Sequence, residues 1–274
     1  MVLGTEESSA VYCVGMYIDM VVLFVFGTML GSFINALAFR HNTGKSMWGR
    51  SGCTTCGMIL KARDLVPVAS FLFLRGRCRG CRARISLQYP IVEVLAGVIA
   101  VLSYAQTSNP IQFSLSMGFF MILLFIAVYD LRHTIIPDQF VYTAGGLALL
   151  FHSVGETGLL SFPNPSYISA GFILALPLVL IWFFSKGKAM GLGDGKLMCA
   201  IGFFLGLRYG LSAFLLSFWI GAVVGVALLL SARAHNGRRQ VTMKSEVPFG
   251  PFLVLGCAIA YFFNVTFSSL LLFF

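Results

Sequence analysis

The sequence has little charge. Of its 274 residues only 11% are Asp, Glu, Lys or Arg, and just ten are acidic. A soluble domain carries about 25% charged residues. With 58% hydrophobic residues and a mean hydropathy of +0.89, a soluble enzyme, a disordered chain and a disulfide scaffold are all excluded. The stretch before the first apolar run has no Lys or Arg and carries Glu6, Glu7 and Asp19, which argues against a cleaved signal peptide. The residues show no internal repeat.

What is present is apolar sequence in long runs. A membrane span takes roughly 20 mainly apolar residues, and eight stretches qualify: about 17–39, 88–105, 112–130, 138–155, 166–184, 192–207, 209–232 and 249–272. The sixth is short, and a tight turn at Leu207–Gly210 is expected to separate it from the seventh. The run Leu65–Leu74 is too short to span and reads as a buried or interfacial piece of a loop. The expected fold is all-α: a polytopic membrane helix bundle of about eight transmembrane helices with one cytoplasmic loop domain.

The bases are unevenly placed. Residues 40–84 hold ten Lys/Arg and a single acid, Asp64, for a net +9, while the other 229 residues balance at zero. By the positive-inside rule both termini face outward. That arrangement places segments 40–87, 131–137, 185–196 and 233–248 in the cytoplasm, with eighteen of the nineteen bases; only Arg208 lies outside. Three segments follow: 1–39 with the first span, the loop domain 40–87, and a membrane domain 88–274.

Four of the seven cysteines stand as Cys53-x2-Cys56 and Cys78-x2-Cys81. Two such knuckles suit a tetrahedral thiolate site for Zn²⁺, with Gly57 and Gly80 supplying the tight turns. A reducing cytoplasm argues against disulfides. A site closed by four thiolates has no open coordination position, so the zinc is structural and folds a loop too small to build its own core. Cys13, Cys199 and Cys257 read as small apolar fillers. Basic residues around a zinc knuckle also raise nucleic acid as a partner. Only Trp48, Phe71 and Phe73 are aromatic between 40 and 84, however, too few for base stacking, and membrane lipid is the better partner.

With ten acids, each can be weighed. Glu6, Glu7 and Glu156 have no chemical context, Asp19 is interfacial, and Asp64 and Glu246 read as ion pairs with neighbouring bases. Glu93, Asp130, Asp138 and Asp194 lie at or inside span ends, where a carboxylate is costly and points to function. Asp194 stands in Gly191-Leu192-Gly193-Asp194-Gly195-Lys196, where glycines allow close backbone approach. The plain alternative is a helix N-cap, and for Asp138, directly before an apolar run, that alternative is strong. Two carboxylates on one membrane face, one of them Asp194 beside a glycine hinge, suggest an aspartyl dyad, sharing a proton because two adjacent negative charges are not tolerated. A transporter relaying protons through intramembrane acids remains the competing reading.

The ordered set Gly31-Ser32-Phe33-x-Asn35, the four cysteines with Leu74-Arg75-Gly76-Arg77 before the second pair, Tyr89-Pro90-x-x-Glu93, Asp130-Leu131, Ile136-Pro137-Asp138, Gly191-x-Gly193-Asp194-x-Lys196 and Pro248-Phe249-Gly250-Pro251 resembles the bacterial type IV prepilin peptidases. The resemblance implies a membrane aspartyl endopeptidase of the GxGD type in the bacterial inner membrane, with Asp130 and Asp194 as its catalytic pair. It implies cleavage of the leader of type IV prepilins or pseudopilins after a glycine at the cytoplasmic face. N-methylation of the new terminus with S-adenosylmethionine would follow, placed at the Gly31–Asn35 end and the zinc loop. Gly191, Gly193, Lys196, Glu93 and Asp138 would support the site, Glu93 by meeting the substrate amine or a loop arginine. Three departures stand out: Cys53-Thr-Thr-Cys56 lacks the proline common after the first cysteine, Arg132 occupies an often acidic position, and the outer loops are very short, which leaves substrate entry to the cytoplasmic side or the lipid. The competing class is a zinc-stabilised transporter or assembly factor without proteolysis.

Overall fold

A computed structural model describes residues 4–43, 49–107, 109–154, 161–234 and 248–271, with side chains for 17–43, 49–107, 109–154, 161–230 and 248–269. The side chains of Glu6, Glu7, Cys13, Lys45, Trp48, Glu156 and Glu246 lie outside that set. The described residues form helices and two isolated bridges, with no strand among them. The chain divides into two compact units, Met1–Ser108 and Asn109–Phe274.

In the first unit α1 (Gly4–Arg40) pairs with α3 (Gln88–Gln106). Small residues set the contact. A Cβ on Gly31 would stand 2.7 Å from the Glu93 Cα, and one on Gly27 would stand 2.8 Å from the Gly97 Cα. Without lipid-driven hydrophobic attraction, helices in a bilayer gain from this close approach. Asn35 Nδ2 donates to the Tyr89 carbonyl at 3.1 Å. As residue numbers rise on α1 they fall on α3, so the pair is antiparallel, and the loop between them starts and ends at one membrane boundary. Within that loop lies the short helix α2 (Ala69–Phe73).

The second unit contains α4 (Pro110–His133), α5 (Asp138–Ser153), α6 (Pro165–Ser185), α7 (Leu192–Ala234), α8 (Gly250–Phe262) and α9 (Phe267–Leu271). Sequence explains the helix starts. Asn109 Oδ1 accepts the Ile111 N–H at 2.8 Å and Asn164 Oδ1 accepts that of Ser166 at 3.0 Å, each followed by proline at the first helical position. Phe119 stacks on Phe204 with ring centroids 4.2 Å apart, and both, with Phe120, are buried in the core.

The expected turn at Leu207–Gly210 is corrected: those residues are helical, and the break in α7 is at Gly206, with φ 68° and ψ −174°. That conformation is essentially closed to residues with a Cβ. Neighbours on α6 show what the break does. Gly195, Gly202 and Gly206 face Val179, Gly171 and Tyr167 in turn, whereas Gly210 faces Leu174. The sense reverses, so α7 is a helical hairpin. Its second half then pairs with α8, Gly221 against Phe249 and Phe252, and Gly256 against Ala213 and Ser217.

Five described helices are long and apolar enough to cross a membrane: Tyr17–Arg40, Gln88–Gln106, Pro110–His133, Pro165–Ser185 and Leu192–Leu230. The membrane bundle is as expected, but length and apolarity do not return eight. The hairpin α7 counts once, and α5 and α8, with 16 and 13 residues, are shorter than a perpendicular span of about 20 residues.

Candidate active site and metal centre

The chain reversals bring the end of α4 and the starts of α5, α7 and α8 to one end of the second unit. Asp130 is buried in the last turn of α4, which stops where Thr134 adopts a left-handed φ of 52° and its N–H bonds the Asp130 carbonyl at 2.8 Å. The Asp130 carboxylate turns toward α8 and accepts the Gly250 N–H on Oδ2 at 3.1 Å. Asp194, also buried, stands on the first turn of α7 and accepts the Gly191 backbone N–H. It is thus inside the helix rather than at the N-cap.

Ile136 links the elements that carry the two acids. Its side chain wedges between the glycine turn of α7 and the start of α8. A Cβ on Gly193 would stand 3.0 Å from the Ile136 Cβ, and one on Gly250 would stand 3.3 Å from its Cδ1. Gly250 has the harder constraint, because its Cβ would sit 2.7 Å from Asp130 Oδ2. Only glycine brings the α8 backbone against that carboxylate. The motif Pro248–Pro251 was conspicuous in the sequence, but nothing local to it shows that its glycine meets an aspartate 120 positions away.

Asp138 does not cap α5: the N-cap is Pro137, and no side chain caps that helix start. Both Asp138 carboxylate oxygens instead accept from Lys196 Nζ, at 2.8 and 2.7 Å. This partly exposed pair ties α5 to α7 two residues beyond Asp194.

In the first unit, the four cysteine sulfurs lie within 4.8 Å of one another, with Cys53 and Cys81 3.8 Å apart. A tetrahedron with Zn–S bonds of about 2.3 Å has edges of about 3.8 Å, so the residues fit the ion. Each knuckle is a small hairpin in equivalent register: Cys53 N–H to Met58 O and Cys78 N–H to Ala83 O, at 2.9 and 2.8 Å. The residue after each pair takes positive φ, Gly57 at 71° and Arg82 at 57°. Gly80 was expected to make the second turn, but Arg82 makes it. Gly80 instead leaves room for Met58, whose Sδ would stand 2.9 Å from a Cβ there. The Cys56 and Thr55 backbone N–H groups hold the Cys53 thiol down at about 6, the form a metal requires. Asp64 pairs with Arg79 at 2.7 Å, as expected of the one acid in the loop.

Glu93 is buried inside α3 and pairs with no arginine among the described residues. Its Oε2 accepts the Val68 N–H at 2.7 Å, and Ser32 hydrogen-bonds the same carboxylate. Nearby, Asn35 Oδ1 is buried with no hydrogen-bond partner.

Residues 25–107 match a family model described as the bacterial peptidase A24 N-terminal domain, and residues 117–226 match that of the type IV leader peptidase family. A protein of Aeromonas hydrophila is 31% identical over 267 residues, covering 87% of this chain and 89% of its own length. One from Bacillus subtilis is 29% identical over 250 residues, covering 89% and 94%. One from Myxococcus xanthus is 31% identical over 240 residues, covering 86% and 70%. All three carry the name prepilin leader peptidase/N-methyltransferase. No solved structure matches.

Proposed function

The chain belongs to the family of prepilin leader peptidases/N-methyltransferases, and on that premise we propose that Asp130 and Asp194 cleave the leader of a type IV prepilin or pseudopilin after a glycine. The observation that carries this is the meeting of two buried aspartates from separate helices, each held by a backbone N–H, at one end of the second unit. One carboxylate, ionised, takes a proton from water as the oxygen attacks the scissile carbonyl carbon. The other, protonated, gives its proton to the carbonyl oxygen. When the tetrahedral diol collapses, the C–N bond breaks, the leaving amine takes the proton that the first carboxylate received, and one diol hydroxyl returns a proton to the second carboxylate, which restores the pair. Gly250 N–H occupies one oxygen of Asp130 and leaves the other for water.

We place this end and the loop 40–87 at the cytoplasmic face, since eighteen of nineteen bases then lie inside. A prepilin has a cationic leader followed by an apolar helix, so its scissile bond sits at that boundary. The basic loop repels such a leader and is not its docking site.

Methylation of the new amine would use S-adenosylmethionine, which supplies an activated methyl group. The Gly31–Asn35 end fits a donor-bearing ligand, because it presents a buried acceptor, Asn35 Oδ1, that has no partner among the described residues. Incubating the full chain in membranes with a prepilin and S-adenosylmethionine, then weighing the pilin N-terminus, tests both halves. The expected mass lacks the leader and gains one methyl group. An intact prepilin would refute the peptidase.

Two substitutions test the positioning of the dyad. Gly250→Ala pushes a methyl group into the Asp130 carboxylate. Cleavage is expected to lose kcat by about 10²-fold, the scale of an ångström misplacement, with KM nearly unchanged. A loss confined to KM would count against positioning. Asp138→Lys or Lys196→Asp alone should lower turnover, and the double exchange should restore it. The stability change should stay within about 1 kcal/mol for a partly exposed pair. Failure of the double exchange to recover turnover would assign the pair no role in placing Asp194.

A further inference from the structure

The segment Leu65–Leu74 is apolar yet uncovered. Leu72 is 68% exposed and Phe73 89%, and Leu65 and Val66 are also exposed. Its depth is set by one bond. Val68, a β-branched residue forced to φ 59°, donates its N–H to Glu93, which is buried five residues inside α3. At 1.5 Å per residue that is about 7.5 Å along the helix from its start. The interfacial layer on each side of the hydrocarbon is about 5–8 Å thick. A β-branched residue at positive φ is costly, and the bond to a buried carboxylate holds it there. The loop is therefore tied down to the membrane boundary at Val68, and α2 follows directly.

Charge surrounds this apolar wedge. Between α2 and the second knuckle lies a hollow of about 300 Å³, with Arg63 and Arg79 on its wall beside Val66 and Phe73. Arg79 gives its Nε to Asp64, and Arg63 also acts on that carboxylate, so two bases share one acid and the hollow keeps one net positive charge. The segment 40–84 as a whole is +9.

We propose that Leu65–Leu74 is an interfacial anchor for anionic phospholipid. Leu72 and Phe73 enter the acyl boundary, and Arg63 and Arg79 take a headgroup phosphate. The proposal rests on α1 and α3 crossing the membrane and not on proteolysis. It makes the zinc loop a membrane-seated platform held from both sides, by lipid below and by Glu93 within.

The test uses the full chain in nanodiscs of phosphatidylcholine or phosphatidylglycerol, with p-benzoylphenylalanine in place of Phe73, and in a second protein in place of Leu72. After irradiation, adducts are mapped by peptide mass. The expected result is a phospholipid adduct at both positions, about five-fold more abundant with phosphatidylglycerol, the ratio given by one basic residue near an anionic surface. Arg63→Gln should bring that ratio down toward one. Adducts to residues 109–274, adducts to added prepilin, no adducts, or lipid adducts indifferent to headgroup charge would each overturn the anchor. Prepilin cleavage is assayed in the same discs. A lipid adduct in a chain that never cleaves would refute the peptidase and leave the anchor standing.

Discussion

Asp130→Asn and Asp194→Asn should each lower prepilin cleavage roughly 10³-fold or more while the protein stays folded. Positioned proton transfer contributes about 10²–10⁴-fold, and in the proposed mechanism the same pair both generates the nucleophile and polarises the carbonyl. The replacement is nearly isosteric. An asparagine at 130 still offers a carbonyl oxygen to the Gly250 N–H, which Asp130 accepts at 3.1 Å, and one at 194 can do the same for Gly191. The α4–α8 contact should therefore survive, and thermal unfolding in membranes should hardly move. Because one carboxyl must be ionised and the other protonated, the wild-type rate should fall on both sides of a pH optimum. Both variants cleaving at the wild-type rate would remove the dyad from the mechanism.

The second large effect is on the loop. Cys53→Ser with Cys56→Ser should abolish zinc binding and open residues 49–87 to proteolysis, with cleavage of prepilin partly retained. Of the four ligands only Cys78 is buried, and each knuckle is a minimal hairpin with an isolated bridge, Gly52 to Ile59 and Arg77 to Arg84. With so little local structure, a metal bound there would be the cross-link that holds the knuckles together, and its binding would then be folding free energy. Cleavage survives because Asp130 and Asp194 lie in the other compact unit. Methylation, which we place in the first unit, should suffer more. pH gives an independent check. Backbone donors from Cys56 and Thr55 lower Cys53 from 9.0 to about 6. Its thiolate is therefore favoured in the folded loop at neutral pH, and that contribution is lost as pH falls through about 6. Cys81 beside it is pushed up to about 11, so binding must displace protons from other thiols and zinc affinity should fall as pH falls. Zinc content unchanged in the double variant would refute the tetrathiolate site.

What could be read in advance was local or compositional. The membrane bundle followed from long apolar runs. The four sulfurs that gather within 4.8 Å were marked by two C-x2-C pairs, because each pair grips one edge of a tetrahedron whatever lies between them. Asp64 was the one acid among ten bases, so an ion pair was its natural state. The errors were also local in origin. Gly80 was assigned a turn because glycine favours positive φ, but hairpin register places that φ one residue after the second cysteine, on Arg82. Asp138 was given the cap its neighbours suggested, and a lysine 58 residues away outcompeted the backbone for its carboxylate.

The poverty of charge in the sequence determined the solvent of this protein and reduced its candidate acids to ten. The one imbalance of charge, a net +9, falls in one segment, and the C-x2-C spacing marks four cysteines that could hold a metal. These properties depend on residue type and on spacing along the chain, which are written in the sequence itself. Only the tertiary structure decided which partners those residues take: Gly250 for Asp130, Lys196 for Asp138, Val68 for Glu93. It also put the reversal at Gly206, where the conformation is essentially closed to any residue with a Cβ. Each of these depends on how helices distant in sequence approach one another. That is set by steric fit, a missing Cβ here and a wedged Ile136 there, which no local pattern encodes.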